Sequence, residues 1–193
     1  MKTRPYRMGA RADAARETGE RILAVGRQQF AEKAYDDVSL DEIAAGVGVT
    51  VQTVLRRFGS KEELVRAIVV AATPGVEAQR DQAPAGDVVG AVDTLVEHYE
   101  AMGDEVMNLL RQERRVPAFA EITAHGRASH ARWVERVFEP WLGMRSGVDR
   151  QRLTAQLIAA CDVYTWFLLR RQAALSRAQT TKAIVEMIEG VLP

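Results

Sequence analysis

Residues 39–64 read SLDEIAAGVGVTVQTVLRRFGSKEEL, and three capping signals divide them into helices. Ser39, followed three residues later by Glu42, has the S-x-x-E spacing of a capping box. A hydroxyl and a carboxylate there satisfy the orphan amides of a first turn, so a helix is expected from Leu40. Leu40, Ile43 and Ala44 form its apolar stripe, and Gly46 is expected to end it by taking a positive φ. Thr50 can cap a further helix to about Phe58, with Val54, Leu55 and Phe58 on or near its inner face. Val51, Gln52, Thr53, Arg56 and Arg57 lie more outward. Ser60 and Glu63 repeat the capping-box spacing and open another helix through Leu64 and Ile68 toward Ala72. Two short helices joined by a tight turn containing Gly48 make a helix-turn-helix unit.

Working outward, Ile22, Val25, Phe30 and Ala34 recur at helical steps from about Asp13 to Lys33, and AYDDVS interrupts the pattern. Residues 1–11 carry Lys2, Arg4, Arg7 and Arg11 with no acid, a basic arm that reads equally as a solvated tail or as a segment that touches phosphate or enters a minor groove. Beyond Ala72, Thr73-Pro74-Gly75 weakens or ends the fourth helix, and RDQAPAGD at 80–87 is the most loop-like segment. In the remainder, residues 88–99 outline one helix and Val106, Leu109 and Leu110 a shorter one. Residues 119–141 form a long helix interrupted by Pro140, residues 152–172 an unusually apolar one, and Ser176 caps the last. β-branched alternating runs are hard to find, so the chain reads as all-α. The division expected is a helix-turn-helix domain at 1–66, with its basic arm at 1–12, joined by a connector helix to a helical bundle at 67–193.

The 193 residues contain as many basic as acidic side chains, 26 of each, so any attraction for nucleic acid must come from local placement. One cysteine, Cys161, excludes an internal disulfide and a four-thiolate metal site, which fits a reducing, cytoplasmic compartment. The basic N-terminal segment runs into ADAARETGERI rather than an apolar core, and no apolar run approaches the roughly 18 residues of a membrane span. His98, His125 and His130 lack the i, i+4 spacing of a helical metal pair, and no nucleophile, base and orienting group occur at recognisable spacing. No cofactor or enzymatic activity is therefore expected.

The segment RILAVGRQQFAEKAYDDVSLDEIAAGVGVTVQTVLRRFGSKEELV, residues 21–65, resembles the TetR family of transcriptional regulators. The resemblance implies a homodimer with a three-helix DNA-binding head and a ligand-sensing helical body. It also implies repression of a double-stranded, partly palindromic operator, relieved by a small hydrophobic effector. Residue by residue, it places the recognition helix at Thr50 through Arg57, with Val51, Gln52 and Thr53 nearest bases. Arg57 and Lys61 fall at phosphate positions, and Ser39 is either a further phosphate ligand or a cap alone. Leu55 stands where the family usually has a phosphate-binding tyrosine, so Arg56 or Arg57 is expected to substitute. Ala34 stands where glycine is common, at a cost of about 1 kcal/mol if the backbone there needs positive φ. The last two helices, about 152–172 and 176–191, would form the dimer interface.

In the body, Tyr99, Met102, Met107, Phe119, Trp133, Phe138, Trp141 and Trp166 are candidates for lining an effector pocket. Arg114, His125, Asp162 and Tyr164 are polar candidates for orienting its occupant. At these spacings the aromatic residues serve equally as ordinary core and the polar ones as surface. Two other functions fit the same helices: a protein-interaction module, and a DNA-binding regulator that senses no ligand.

Overall fold

The computed structural model describes residues 5–192, with side chains from residue 11 onward. Lys2 and Arg4 of the basic arm lie outside the described residues, as does the side chain of Arg7. Every described element is helical, as the sequence leads one to expect. Chain contacts divide the protein into two compact units at Ala72/Thr73.

The first unit contains α1 (Pro5–Glu32), a 3-10 turn (Tyr35–Asp37), α2 (Leu40–Val47), α3 (Val51–Phe58) and the first part of α4 (Lys61–Arg80). Its core is built from Ile22, Phe30, Val38, Ile43, Ala44, Val47, Val54, Leu64, Val65 and Ile68. Most are branched aliphatics recurring at helical spacing, each stabilising the fold by roughly 1.5–3 kcal/mol through burial. Close approach of α1 requires small residues: a Cβ on Gly46 would meet Val25 at 3.2 Å, and one on Gly26 would meet Ile68 at 3.0 Å. Gly46 thus stays inside α2. The left-handed residue that ends α2 is Gly48, at φ 75°, because its amide must reach back to Ala44 and Ala45. Ala34 lies at φ −64°, ψ 151°, ordinary extended backbone, so alanine carries no strain there.

The second unit is organised around α5 (Val88–Gln112), whose buried positions Ala91, Val92, Leu95, Tyr99, Gly103 and Met107 follow helical steps. Packed with it are α6 (Pro117–Val137), α7 (Glu139–Leu142), α8 (Gly147–Ala160), α9 (Val163–Phe167), a π turn (Leu168–Gln172) and α10 (Arg177–Glu189). The loop after α4 is fixed to α6 by three donors: the Trp133 indole to the Arg80 carbonyl at 3.1 Å, Arg136 to the Ala83 carbonyl at 2.9 Å and the Gly86 amide to the Val137 carbonyl at 2.8 Å.

Helix boundaries differ from the sequence pattern where tertiary contacts prevail. α1 begins at Pro5 rather than near Asp13, a proline fitting a first helical position, where its missing N–H is no loss. α4 runs through Pro74 to Arg80, and α5 is one 25-residue helix rather than two. The expected 152–172 helix is broken instead. The Asp162 carboxylate accepts the Tyr164 amide at 2.8 Å and restarts the chain as α9, while the π turn presents consecutive arginines to α5. Arg170 donates to Glu100 at 2.9 Å and Arg171 to Asp104 at 2.8 Å. The long helix expected at 119–141 stops at Val137, with Pro140 in the first turn of α7. At the last helix the Ser176–Gln179 pair forms a complete capping box.

Trp166 is fully buried against Gly103 of α5, where an added Cβ would collide with the indole ring. Gly103→Ala should therefore lower the urea midpoint despite alanine's better helix propensity, and Gly103→Val should cost more, about 1–3 kcal/mol in all. An unchanged midpoint for the valine variant would contradict this packing.

Candidate nucleic-acid interface

α3 has eight residues, and Val54 is its one fully buried side chain. A helix this short does not persist alone, so its ends and flanks must be held from outside. Thr50 caps its N-terminus, the hydroxyl accepting the Thr53 amide at 3.2 Å and lying 3.0 Å from the Thr53 hydroxyl. Thr53 is half-buried and tied to its cap; Val51 and Leu55 are also half-buried. Gln52 and Arg56 are exposed and make no hydrogen bond or ion pair to other described residues.

Arg57 faces the other way. Its guanidinium donates to the Ala15 carbonyl of α1 at 2.6 Å, lies over Gly19, whose missing Cβ makes the room, and flanks the Phe58 ring at 5.8 Å. From α1, Arg21 in turn donates to the Val47 carbonyl at 2.7 Å, satisfying the C-terminus of α2. Lys61 sits 4.4 Å from the Tyr35 ring centroid, a cation–π contact at the start of α4. Burial lowers its pKa, with Asp36 and Asp37 acting in the opposite direction. Ser39 accepts the Asp41 amide at 3.1 Å as a cap, while Glu42, its expected capping-box partner, pairs with Lys33 at 2.6 Å. Apart from the basic arm, the predicted DNA-facing positions lie on α3, at the caps preceding α2 and α3, and at the start of α4, with Arg57 and Lys61 tied into the head itself.

Of the predicted effector-pocket residues, Tyr99, Met107, Trp133, Phe138 and Trp166 join the buried core of the second unit, and Phe119 is buried on α6. Met102, Trp141 and Asp162 are half-buried, and Arg114, His125 and Tyr164 are exposed. Beside the predicted Tyr99 lies a polar group that the sequence reading did not assemble: Arg80 from α4, His98 from α5 and His130 from α6. The Tyr99 hydroxyl donates to the Cys161 carbonyl at 3.0 Å, and burial raises its pKa. His130 Nδ1 lies 3.4 Å from an Arg80 nitrogen that can only donate, so Nδ1 is the acceptor and the ring proton sits on Nε2, facing the Ile158 carbonyl at 3.4 Å. Burial and the Arg80 cation push His130 down to about 4, against smaller opposing effects of Asp162 and the Ile158 carbonyl. Burial, Arg80 and His130 push His98 down to about 4 as well. No sequence spacing points to this group, because its members come from three helices. No cluster of three or more metal-ligating side chains occurs among the described residues, and no described helix is long and apolar enough to cross a membrane.

A helix-turn-helix whose second helix is capped at its start, fastened from behind and polar and basic on its open face belongs to a DNA-binding regulator. Residues 22–68 match the family model for bacterial regulatory proteins of the tetR family. The chain is 24% identical over 179 residues to an uncharacterized HTH-type transcriptional regulator of Mycobacterium tuberculosis, covering 89% of this chain and 84% of that one. A transcriptional regulator from Rhodococcus sp. Rha1 shares the fold with a TM-score of 0.70 at 19% identity, over 90% of this chain and 95% of that one. The fatty acid degradation regulator FadR from Bacillus halodurans does so with a TM-score of 0.61 at 16% identity, over 97% and 96%. The match to the family model falls on the helix-turn-helix head and supports DNA binding by residues 22–68, and the likeness to solved structures extends the shared helical fold over the rest of the chain.

Two expectations follow. Arg57→Ala or Gly19→Val should loosen α3 from α1 and destabilise the head by roughly 1–2 kcal/mol, read as earlier hydrogen exchange of α3 amides. Unchanged α3 exchange in both would contradict the tie. For pH, each buried histidine has a folded pKa of about 4 against about 6.5 unfolded. The unfolded chain therefore binds more protons between these values, and stability present above pH 6.5 is lost on acidification toward pH 4, up to about 3 kcal/mol for one imidazole. Denaturant unfolding across this range should show the slope, and His98→Gln should reduce it. A flat profile in the wild type would contradict the burial of both rings as neutral species.

Proposed function

We propose that the protein is a dimeric, effector-responsive repressor acting in the cytoplasm on a partly palindromic operator. In each protomer the reader lies within residues 1–66, and residues from 67 onward bind a small hydrophobic effector and pair with the partner. Two copies of α3 enter successive major grooves about 34 Å apart, and effector binding lowers operator affinity. The observation carrying the reading is the open face of α3, where Gln52 and Arg56 are exposed without partners on a helix whose every other fixing faces inward.

Within that face, Gln52 is the base-reading side chain, its amide able to donate and accept at an adenine edge. Val51 and Thr53 flank it, Thr50 and Ser39 present hydroxyls at helix starts, and Arg56 supplies the phosphate contact that Leu55 lacks. Arg57 and Lys61, tied to α1 and Tyr35, position the helix first and reach phosphate second. Pairing through α8, α9 and α10 is supported by apolar side chains left open there, just before α8 and in the π turn: Met144, Val148, Tyr164, Leu168 and Met187 are each between 45% and 74% exposed.

Arg56→Ala should weaken binding to all duplexes alike and lower the salt slope by about one unit. Gln52→Ala should instead alter sequence preference by about 1–3 kcal/mol per lost base contact, with the salt slope unchanged. Fluorescence anisotropy on operator and scrambled duplexes across a salt series separates the two. If both variants bind every duplex as the wild type does, α3 is not the reading element.

A further inference from the structure

The group formed by Arg80, His98 and His130 carries one permanent positive charge with no carboxylate paired to it among the described residues. Arg80 is half-buried; it donates toward His130 Nδ1 and hydrogen-bonds the Tyr99 side chain, while its Nε is buried without a hydrogen-bond partner. His98, 4% exposed, likewise leaves Nδ1 without a partner. The nearby Asp162 carboxylate is committed to the Tyr164 amide. Buried polar atoms are nearly always hydrogen-bonded, so two open nitrogens, Arg80 Nε and His98 Nδ1, beside a half-buried cation favour an anionic acceptor. Aromatic rings pack around this point: the Arg80 guanidinium lies 5.8 Å from the Trp133 ring centroid, His130 stacks on Trp133 at 6.0 Å, and His98 lies 5.5 Å from Tyr99.

We propose that the second unit binds a monoanionic organic carboxylate with an apolar body, its carboxylate held by the Arg80 guanidinium and the His98 imidazole. A guanidinium matches the two oxygens of a carboxylate in one plane, and a neutral imidazole with its proton on Nδ1 donates a further hydrogen bond. One positive charge selects a monoanion; a phosphate dianion would face the Asp162 carboxylate with too few donors. Indole and phenol rings accept an aliphatic or aromatic body but give no counter-charge. The assignment names the chemical class of the effector proposed above and rests on that reading only for its consequence at DNA.

The test titrates the full-length protein with octanoate and benzoate, with octanol and benzyl alcohol as neutral counterparts and inorganic phosphate as the competing anion. Tryptophan emission, sensitive through Trp133, and thermal shift are the readouts. At least one carboxylate should raise the melting temperature and change emission at millimolar concentration or below, its alcohol binding at least about tenfold more weakly and phosphate not at all. Arg80→Gln should lose carboxylate binding, and Arg80→Lys and His98→Gln should each weaken it about tenfold. The exposed Arg132→Gln should bind as the wild type does, and circular dichroism of each variant verifies folding. Equal binding of a carboxylate and its alcohol, preference for phosphate, no response to either carboxylate, or full binding by folded Arg80→Gln, Arg80→Lys and His98→Gln overturns the site. Carboxylate binding that leaves DNA affinity unchanged upholds the site and contradicts the effector role.

Discussion

The contact between Arg57 and the backbone of α1 governs what the head can do. α3 has eight residues, and shortness removes the hydrogen bonds that make a helix stand alone. α3 keeps one fully buried side chain, Val54, worth roughly 1.5–3 kcal/mol, which is too little to fix its orientation. The guanidinium at the Ala15 carbonyl, resting where Gly19 has no Cβ, fixes the C-terminal end of α3, and the Thr50 hydroxyl fixes the N-terminal end. With both ends held, Gln52 and Arg56 remain free on the outer face. The basic pair Arg56-Arg57 thus divides into one residue for the fold and one for the surface, although the two are adjacent in a chain of zero net charge.

The same division of like residues appears in the second unit. Arg170 and Arg171 fasten the π turn to Glu100 and Asp104 of α5, and Arg171 covers the Trp166 ring at 4.6 Å. Arg80 has no such acid and meets neutral histidines instead. The contrast separates arginines paired to carboxylates from one half-buried beside imidazoles and a phenol, and buried polar atoms with open valences are where ligand chemistry concentrates.

Much of the head was legible because its signals are local. Ser39, Thr50 and Ser60 each precede a helix and accept an amide of its first turn, and Ile43, Ala44 and Val54 fall on the buried faces that their spacing indicates. What local spacing could not resolve was the competition between neighbours: Gly48 rather than Gly46 takes the left-handed conformation because Gly46 is needed against Val25. Arg57 reads from sequence as an outward phosphate ligand, and its contact with a carbonyl of α1 beside Gly19 is not visible in the local pattern. In the second unit, aromatic spacing identified Tyr99, Trp133 and Trp166 as apolar-facing without distinguishing core from cavity wall. The Arg80–His98–His130 group was invisible because its members are brought together by packing rather than by sequence distance. Asp162, read as a ligand-orienting residue, also acts as the cap that breaks the expected 152–172 helix.

The measurement that bears most directly on the protein as a sequence-specific regulator is footprinting on the DNA flanking its own gene, at physiological salt with excess random duplex. The account expects protection of two half-sites whose centres lie one helical turn apart, with protection surviving the competitor. Protection that disappears with competitor, or that spreads evenly along the fragment, would mean that α3 attracts phosphate without reading sequence and would contradict it.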